Sequence, residues 1–380
     1  MKVAGTARYD RRFFKEDSLE FGKPKSVEEK IKGYQKFWNL AEVQKPLIGF
    51  DVGGFFPFQW FSALKEIKDN LFLQPELLIV DKYLDDYTNL YQRSASVNDD
   101  LIKGVSPIPA IPWLEAMLGC SVQISGESIW AREQNADWGV LERLSLEENN
   151  PWLQKYLEFL NALVRNADGA YPVSQPILRG ITDLLGVLRG STQALLDTME
   201  SPNRVKTLAA RCTHAIIKVS QMQYEILRPF HGGYLIEQFG IWAPGIIVRL
   251  QEDLFAVYSP KTYCDLIQAF DRQIAAAFPY CLMHLHNSSL FLLDYFLEIE
   301  ETDVFQINRD VVGMPTEEMI PYLKKVQGQK RRLLIRGFLT KDDLRLIQAN
   351  LSPAGLILQI VLNDADETED YIEFINDLIA

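Results

Sequence analysis

Short apolar runs alternate with amphipathic stretches along most of the chain. The first run, residues 45–54 (KPLIGFDVGG), ends in an acid and two glycines, as a buried strand that enters a loop does. Seven further apolar runs are strand candidates, at residues 105–110, 170–175, 234–239, 279–284, 303–308, 332–337 and 355–361. Because helical stretches separate them, the pattern predicts parallel strands covered by helices.

The stretches between the strands carry helix-start signals. Ser26 and Glu29 match a capping box, in which each side chain accepts an amide hydrogen near the helix start. Ser-Pro pairs and Pro75 mark further starts, since proline suits the first turn of a helix. The predicted helices cover residues 26–40, 74–95, 201–227 and 259–277, and one more follows Ser288.

The number of strand units indicates the fold class. Eight units lie within residues 45–380, and no linker or low-complexity segment divides the chain. Eight alternating units favour closure of the sheet into a (β/α)₈ TIM barrel. We therefore predict a single α/β domain over residues 45–380, preceded by an N-terminal helical extension, residues 1–44. A doubly wound open sheet is the alternative architecture.

The composition narrows the class of protein. Hydrophobic residues make up 47% of the 380 positions and charged residues 24%, which is enough to build a large folded core. The net charge of -12 disfavours nucleic acid and anionic membranes as partners, because both attract basic surfaces. The four cysteines form no Cys-x-x-Cys pair, and no apolar stretch resembles a signal peptide or a membrane span. We expect a cytoplasmic protein with reduced thiols.

Two histidines at the end of the strand 279–284 are the main candidates for chemistry. His284 and His286 are two positions apart, so on a strand both imidazoles project from the same side. Such a pair binds Zn²⁺ when a third protein ligand is present. Glu237, within the adjacent predicted strand, is the preferred third ligand, ahead of Asp310, Asn363 and Asp364. A histidine pair bonded to barrel neighbours, or one histidine acting as a general base, is the alternative.

Other residues near strand ends are candidates for substrate binding. Gln306 and Asn308 share one face of the strand 303–308 and would orient a substrate, or fill a polar patch of the interior. Asp51 ends the first strand. The aromatic loop 55–61, with Phe58 and Trp60, and the more distant Trp242 would line a substrate pocket or pack as a plug on the core.

Several segments, read in order, resemble the uroporphyrinogen-decarboxylase-like superfamily. Phe239-Gly-Ile-Trp242-Ala-Pro and the following LFAVYSPKTYCDLI resemble its fourth strand, tryptophan loop and next helix, and residues 176–205 are similar to its third strand-helix unit. Two motifs resemble its corrinoid-dependent methyltransferase branch, Glu115-Ala-Met-Leu-Gly-Cys120 and Met283-His-Leu-His-Asn287. The second motif lies where that branch has a His-x-Cys metal motif.

The resemblance implies a TIM barrel that moves a methyl group between a small-molecule donor or acceptor and a corrinoid, which a separate protein carries. It implies Zn²⁺ held by His284 and His286, with Glu237 as third ligand or as base. Gln306 and Asn308 would position the substrate. A second copy of the chain, forming a homodimer, is a further candidate partner.

Two departures from the family pattern leave other functions open. The decarboxylase has an arginine-rich stretch after its first strand where this chain has Gly53-Gly-Phe-Phe-Pro-Phe-Gln-Trp60, so uroporphyrinogen is not the expected substrate. The methyltransferase branch has a third zinc ligand, a cysteine, where this chain has Leu362. One alternative is a decarboxylase or lyase acting on a small carboxylate or a tetrapyrrole-like substrate, bound through Arg179 or Arg336. The other is a non-catalytic barrel that binds a corrinoid or tetrapyrrole.

Overall fold

The computed structural model describes residues 20–53, 57–67 and 72–379, and for residues 255 and 256 it describes the backbone alone. The strands are β1 (Leu47–Val52), β2 (Phe72–Leu73), β3 (Val122–Ser125), β4 (Ser128–Ala131), β5 (Tyr234–Ile236), β6 (Ile241–Ala243), β7 (Ile247–Gln251), β8 (Tyr280–His286), β9 (Val304–Arg309), β10 (Arg332–Gly337) and β11 (Leu356–Leu362). The helices are α1 (Val27–Trp38), α2 (Pro57–Trp60), α3 (Ser62–Ile67), α4 (Leu84–Ala95), α5 (Trp113–Met117), α6 (Trp138–Leu141), α7 (Pro151–Ala167), α8 (Ile181–Arg189), α9 (Ser191–Glu200), α10 (Pro202–Ile226), α11 (Pro260–Leu266), α12 (Gln268–Ala276), α13 (Leu293–Leu297), α14 (Thr316–Gly328), α15 (Lys341–Asn350) and α16 (Glu367–Ile379).

Six parallel strands form the main sheet, in the order β1-β11-β10-β9-β8-β7. Their apolar sequences agree with this position, because strands covered on both faces have little need of polar residues; all seven residues of β11 are buried. The register places His284 of β8 between Gln251 of β7 and Gln306 of β9. Parallel strands end at the same edge of a sheet, so the residues that end β7, β8 and β9 meet there.

Proline explains why two predicted strands are nearly absent. Residues 105–110 and 170–175 meet in a single parallel bridge, Val105 to Val173, instead of a ladder. Prolines at 107, 109, 172 and 176 lack the N–H that a ladder needs. The predicted strand 234–239 ends at Ile236, where the chain enters a 3₁₀ turn and then returns as β6, antiparallel to β5.

Side chains occupy the free edge of β1. Asp99 and Asp100 accept hydrogen bonds from the backbone N–H groups of Phe50 and Ile48, each at 3.0 Å. The Asp100 N–H donates to the Ile48 carbonyl at 2.9 Å, and Lys103 donates to the Phe50 carbonyl at 2.9 Å. The two carboxylates and the lysine therefore satisfy the part of β1 that no neighbouring strand pairs.

The opposite edge, on β7, is bonded in a similar way. Gln175 donates to the Ile247 carbonyl at 2.9 Å, and the Tyr224 hydroxyl donates to the same oxygen. Ser174 connects this region to β5 by donating to the Leu235 carbonyl at 2.7 Å. The stretch from residue 99 to residue 236 thus links the two edges of the main sheet through hydrogen bonds and one bridge.

The strand β7 was missed in the sequence. The run that begins at Ile246 and Ile247 contains Arg249 and was not among the strand candidates. All five residues of β7 are buried. Of the predicted helix 74–95, the segment before Leu84 forms two 3₁₀ turns, and only α4 is α-helical. The predicted helix 259–277 is interrupted at Ile267, between α11 and α12.

The helix α1 packs directly on the body of the protein. Trp38 donates its indole N–H to the Trp242 carbonyl at 2.7 Å, and the Tyr34 hydroxyl donates to the Gly240 carbonyl. Residues 1–19 of the predicted N-terminal extension lie outside the described residues. No helix in the described part of the chain combines the length and the apolar character that crossing a lipid bilayer requires.

Replacing Ser26 with alanine is expected to lower the free energy of unfolding by about 1 kcal/mol, because the substitution removes a capping hydrogen bond. The predicted capping box is present: the Glu29 N–H donates to the Ser26 hydroxyl at 3.2 Å, and the Ser26 N–H donates to the Glu29 carboxylate at 2.7 Å. Ser201 precedes α10 in the same way, but its side chain makes no capping bond. Ser201→Ala is the control, and chemical denaturation of both variants should separate them; equal losses would contradict the assignment.

Candidate metal centre

Three side chains meet at the C-terminal edge of the sheet: Asp253, His284 and His286. The Nε2 atoms of the two histidines are 3.3 Å apart, and the Asp253 Oδ1 atom lies 3.3 Å from His286 Nε2 and 3.9 Å from His284 Nε2. Ligands bonded to Zn²⁺ at about 2.0–2.1 Å in tetrahedral directions are about 3.3 Å from one another. Two of the three separations match that spacing, and the third, between Asp253 and His284, is longer. The arrangement is close to that of a three-ligand zinc site with one open position.

Hydrogen bonds on the far side of each imidazole fix its orientation. His284 directs Nδ1 at the Gln306 amide oxygen, and the Gln306 amide nitrogen donates to Asn308 at 3.0 Å. His286 directs Nδ1 at the Asp310 carboxylate, at 2.7 Å. Because an amide oxygen and a carboxylate only accept, each Nδ1 carries a proton and each Nε2 faces the position that a cation would occupy.

Burial and neighbouring charges set the protonation of the three groups. Burial and the neighbouring Arg249 lower the pKa of His284 to about 3, so this ring is neutral at pH 7. Hydrogen bonds to Asp253 and then Asp310 raise the pKa of His286 to about 10. Burial acts to raise the pKa of Asp253, but the hydrogen bond from His286 and the charges of the histidines outweigh it and lower the pKa to about 2. A bound divalent cation would take the place of the proton on His286.

The loop that carries Asp253 is held against α8. The Asp183 carboxylate accepts from the N–H groups of Asp253 and Leu254, at 3.2 and 2.9 Å, and the Gln251 amide donates to the Asp253 carboxylate. Gly180 permits this approach, since a Cβ atom there would lie 1.8 Å from the Gln251 carbonyl oxygen. Asp253 is the one member of the cluster that we did not predict. An apolar run followed by an acid, the pattern used for β1, would have identified it.

A cavity of about 260 Å³ opens beside the cluster. Its wall includes Asp253, His284, His286 and Asn308, together with the arginines Arg179 and Arg249. Arg249 lies over the ring of Phe239, 5.2 Å from its centroid, and that ring stacks on His284 with 5.5 Å between centroids. Burial lowers the pKa of Arg249 to about 10, which still leaves it charged at neutral pH.

Glu237, the predicted third ligand, is not part of the cluster. The chain turns after Ile236, and the Glu237 carboxylate accepts from the Ser106 hydroxyl at 3.3 Å. Burial and the nearby Asp51 raise the pKa of Glu237 to about 7. Asp51 itself forms an ion pair with Arg336. Asp310, a lower-ranked ligand candidate, contacts the far nitrogen of His286 instead of facing the cation position.

Of the remaining predicted site residues, some lie at the cavity or beside the cluster and others lie in the core. Asn308 lies on the cavity wall, while Gln306 is fully buried and bonded to His284. Trp242 lies outside that wall, because β6 turns it back into the core, where its N–H donates to the Phe230 carbonyl at 2.8 Å. Phe58 is buried in the core and Trp60 packs against it, whereas residues 55 and 56 of the same loop lie outside the described residues.

The similarity of this chain to known proteins lies in its fold. No protein-family model matches it, and no curated protein matches it in sequence. A methyltransferase from Methanosarcina mazei superposes on it with a TM-score of 0.58, covering 95% of this chain and 100% of that chain at 11% sequence identity. The two chains share a fold. The metallated homocysteine methyltransferase MmuM from Escherichia coli covers 87% of this chain and 96% of its own at 10% identity, but its TM-score of 0.35 is too low to indicate a shared fold.

Exchanging Asp310 for asparagine is expected to weaken Zn²⁺ binding by about 10- to 100-fold, the usual cost of losing an outer partner of a histidine ligand. The substitution keeps the shape of the side chain but removes the charge that now holds the His286 Nδ1 proton. Competition with a fluorescent zinc chelator would measure the change. The control is Asp294→Asn, an exposed acid that pairs with Lys325 on the surface. Similar affinities for the two variants would exclude a cation at His286.

Proposed function

We propose that this protein is a metal-dependent methyltransferase that moves a methyl group between a small molecule and a corrinoid on a separate protein. The observation that carries the proposal is the spacing of Asp253, His284 and His286, which suits a catalytic zinc site. The ordered motifs in the sequence and the fold shared with the M. mazei methyltransferase support the same reaction class.

Each residue of the site then has a distinct task. His284, His286 and Asp253 would hold the cation, with Gln306 and Asp310 keeping the rings in position. A bound Zn²⁺ would act as a Lewis acid that polarises a donor oxygen or lowers the pKa of an acceptor thiol. Asn308, on the cavity wall, would position the substrate. Glu237, whose pKa is about 7, would hold or release a proton.

We also propose that the sheet closes into the (β/α)₈ barrel of the resembling family. The bonds from residue 99 to residue 236 support this, because they connect β1 to β7 where an eight-stranded barrel would have its second and third strands, the segments that meet in the Val105–Val173 bridge. Active sites of such barrels lie at the C-terminal ends of the strands. The cluster of Asp253, His284 and His286 lies at the C-terminal ends of β7 and β8.

Exposed apolar side chains support docking of a partner protein near the cavity. Five of them lie in the loops that follow β7, β8, β9 and β10, and they are Val257, Phe291, Val311, Val312 and Phe338. Val311 and Val312 are 72% and 87% exposed, and a partner protein seated on these loops would cover them. A separate protein seated on these loops would bring its corrinoid to the open position of the metal site.

The size of the cavity distinguishes the alternative ligands, a tetrapyrrole and a small carboxylate. About 260 Å³ lies below the roughly 300–1,000 Å³ of pockets that enclose drug-sized ligands, so a tetrapyrrole does not fit within it. A small carboxylate does fit. A decarboxylase acting on such a molecule is therefore the second candidate, and the arginines Arg179 and Arg249 on the wall favour it.

Metal analysis combined with a methyl-transfer assay tests the proposal. The purified chain should contain about one equivalent of zinc or take it up after chelation, as a three-ligand site with an open position would. It should also demethylate methylcobalamin in the presence of a small thiol, and faster when the cobalamin is bound to a corrinoid protein. Release of CO₂ from small acids without demethylation would support the lyase instead. A protein that neither contains nor gains metal would overturn both the zinc site and the proposed reaction.

A further inference from the structure

Arg249 is a buried cation with two nitrogen atoms that have no hydrogen-bonding partner among the described residues. Its side chain is 4% exposed, and its Nε and Nη1 atoms contact no acceptor among the described residues. Burying a guanidinium without a partner is costly, and natural structures rarely leave such a group unpaired. Because Arg249 lines the cavity, a molecule in the cavity is the natural source of the missing acceptors.

The other arginine of the cavity differs in this respect. Arg179 is half-exposed, and its Nε atom lies 3.3 Å from the carboxylate of the buried Glu115. Glu115 therefore compensates the charge of Arg179. The Arg249 guanidinium lies over the ring of Phe239, 5.2 Å from its centroid, and this contact restricts its movement. A guanidinium held in this way suits the two oxygens of a carboxylate.

The position of Arg249 on β7 also gives the orientation of the bound molecule. Arg249 and Gln251 lie on the same face of the strand, about 6.6 Å apart, and Gln251 is the register partner of His284. Arg249 is therefore deeper in the sheet than the metal cluster, which lies at the strand end. A short molecule would span the distance between Arg249 and the metal cluster.

We propose that the cavity binds a small organic acid, with its carboxylate on Arg249 and its reacting group toward Asp253, His284 and His286. This inference rests on the proposed function, since it assigns the substrate class of the same site. It makes Arg249 the residue that distinguishes acidic from neutral substrates. The reacting end then faces the open side of the cavity, where the exposed loops after β7–β10 lie.

Binding of matched thiols to the zinc-loaded chain tests the inference. The probes are 2-mercaptoacetate and 3-mercaptopropionate, with 2-mercaptoethanol as the neutral analogue, and isothermal titration calorimetry measures each affinity. The acids should bind at least about 10-fold more tightly than 2-mercaptoethanol, the effect expected of a buried charged hydrogen bond. Arg249→Gln should lower the affinity for the acids by about 10- to 100-fold and leave that for 2-mercaptoethanol and the zinc content unchanged.

Two further variants separate recognition from folding and from net charge. Arg249→Lys keeps the charge and should recover part of the affinity for the acids. Arg345→Gln removes an equal charge from the surface helix α15 and should change no affinity. Because Arg249→Gln removes a buried charge and two nitrogen atoms that have no partner among the described residues, its melting temperature should equal or exceed that of the wild type.

The outcomes distinguish this inference from the proposed function. Equal affinity of the wild-type chain for the acids and for 2-mercaptoethanol, or acid binding that survives in Arg249→Gln, would overturn the inference while zinc binding stands. If the chain binds no zinc, the proposed function fails. Propionate titrated into the metal-free chain then tests Arg249 alone, and a loss of its binding in Arg249→Gln would still support the acid subsite.

Discussion

Alanine in place of His286 is expected to weaken Zn²⁺ binding by more than about 100-fold and to abolish methyl transfer. This loss is larger than the usual cost of removing a residue that only hydrogen-bonds a ligating histidine. The variant removes one of three ligand atoms and leaves Asp253 and Asp310 facing each other without the ring that now lies between them. Two carboxylates and one imidazole nitrogen then lack the spacing of the original site. Elemental analysis after dialysis, followed by the methyl-transfer assay, would show both losses.

The control for this experiment is His214→Ala. His214 is an exposed residue of α10, remote from the cluster, so its replacement should leave zinc content and activity unchanged. His284→Ala should behave like His286→Ala, because both Nε2 atoms face the cation position. Full methyl transfer by His286→Ala would show that the reaction does not depend on this site.

Replacing Asp100 with alanine is expected to lower the free energy of unfolding by about 3 kcal/mol, the lower end for breaking a buried ion pair. The Asp100 carboxylate is 1% exposed and accepts from Lys25 and Lys45, each at 2.7 Å, and from the Ile48 N–H at 3.0 Å. Alanine leaves two partly buried ammonium groups near each other and one edge N–H without an acceptor. Urea denaturation at pH 7 measures the loss, with the exposed Asp294→Ala as control.

The same substitution should change the response of the protein to acid. Burial acts to raise the pKa of Asp100, but the charges of Lys45 and then Lys25 outweigh it, so the pKa lies below its ordinary value. A depressed pKa in the folded state stabilises the fold above the unfolded pKa of about 3.9, and this contribution disappears as the pH falls through the folded pKa. The difference in stability between wild type and Asp100→Ala should therefore shrink as the pH falls below about 4. A difference that stays constant down to pH 2 would contradict this account.

The sequence predicted five of the six strands of the main sheet, all except β7. Apolar runs such as 355–361 are long and free of proline, and strand alternation was enough to place His284 and His286 on one face. The runs at 105–110 and 170–175 were apolar too, but their prolines remove the donors of a ladder. Hydrophobicity alone does not distinguish a strand from an extended segment.

The third ligand, Asp253, was not predicted because the strand before it was missed. Arg249 is a charged residue in the middle of a buried strand, and its presence broke the apolar pattern that we used. The two residues that sequence reasoning omitted, Arg249 and Asp253, lie on β7 and in the loop after it. The predicted ligand Glu237 follows a strand that turns back after three residues, a change of direction that depends on the pairing of β5 with β6.

The carboxylates that cover the edge of β1 also limit how the protein associates with itself. An exposed strand edge is a template on which a second chain can add a strand, and this is a common route to aggregation. Another chain would have to displace Asp99 and Asp100 from the N–H groups of Phe50 and Ile48, and break their ion pairs with lysines. Continuous sheets running from one copy into the next are therefore disfavoured at β1, and a dimer of this chain would form through its helices or loops instead.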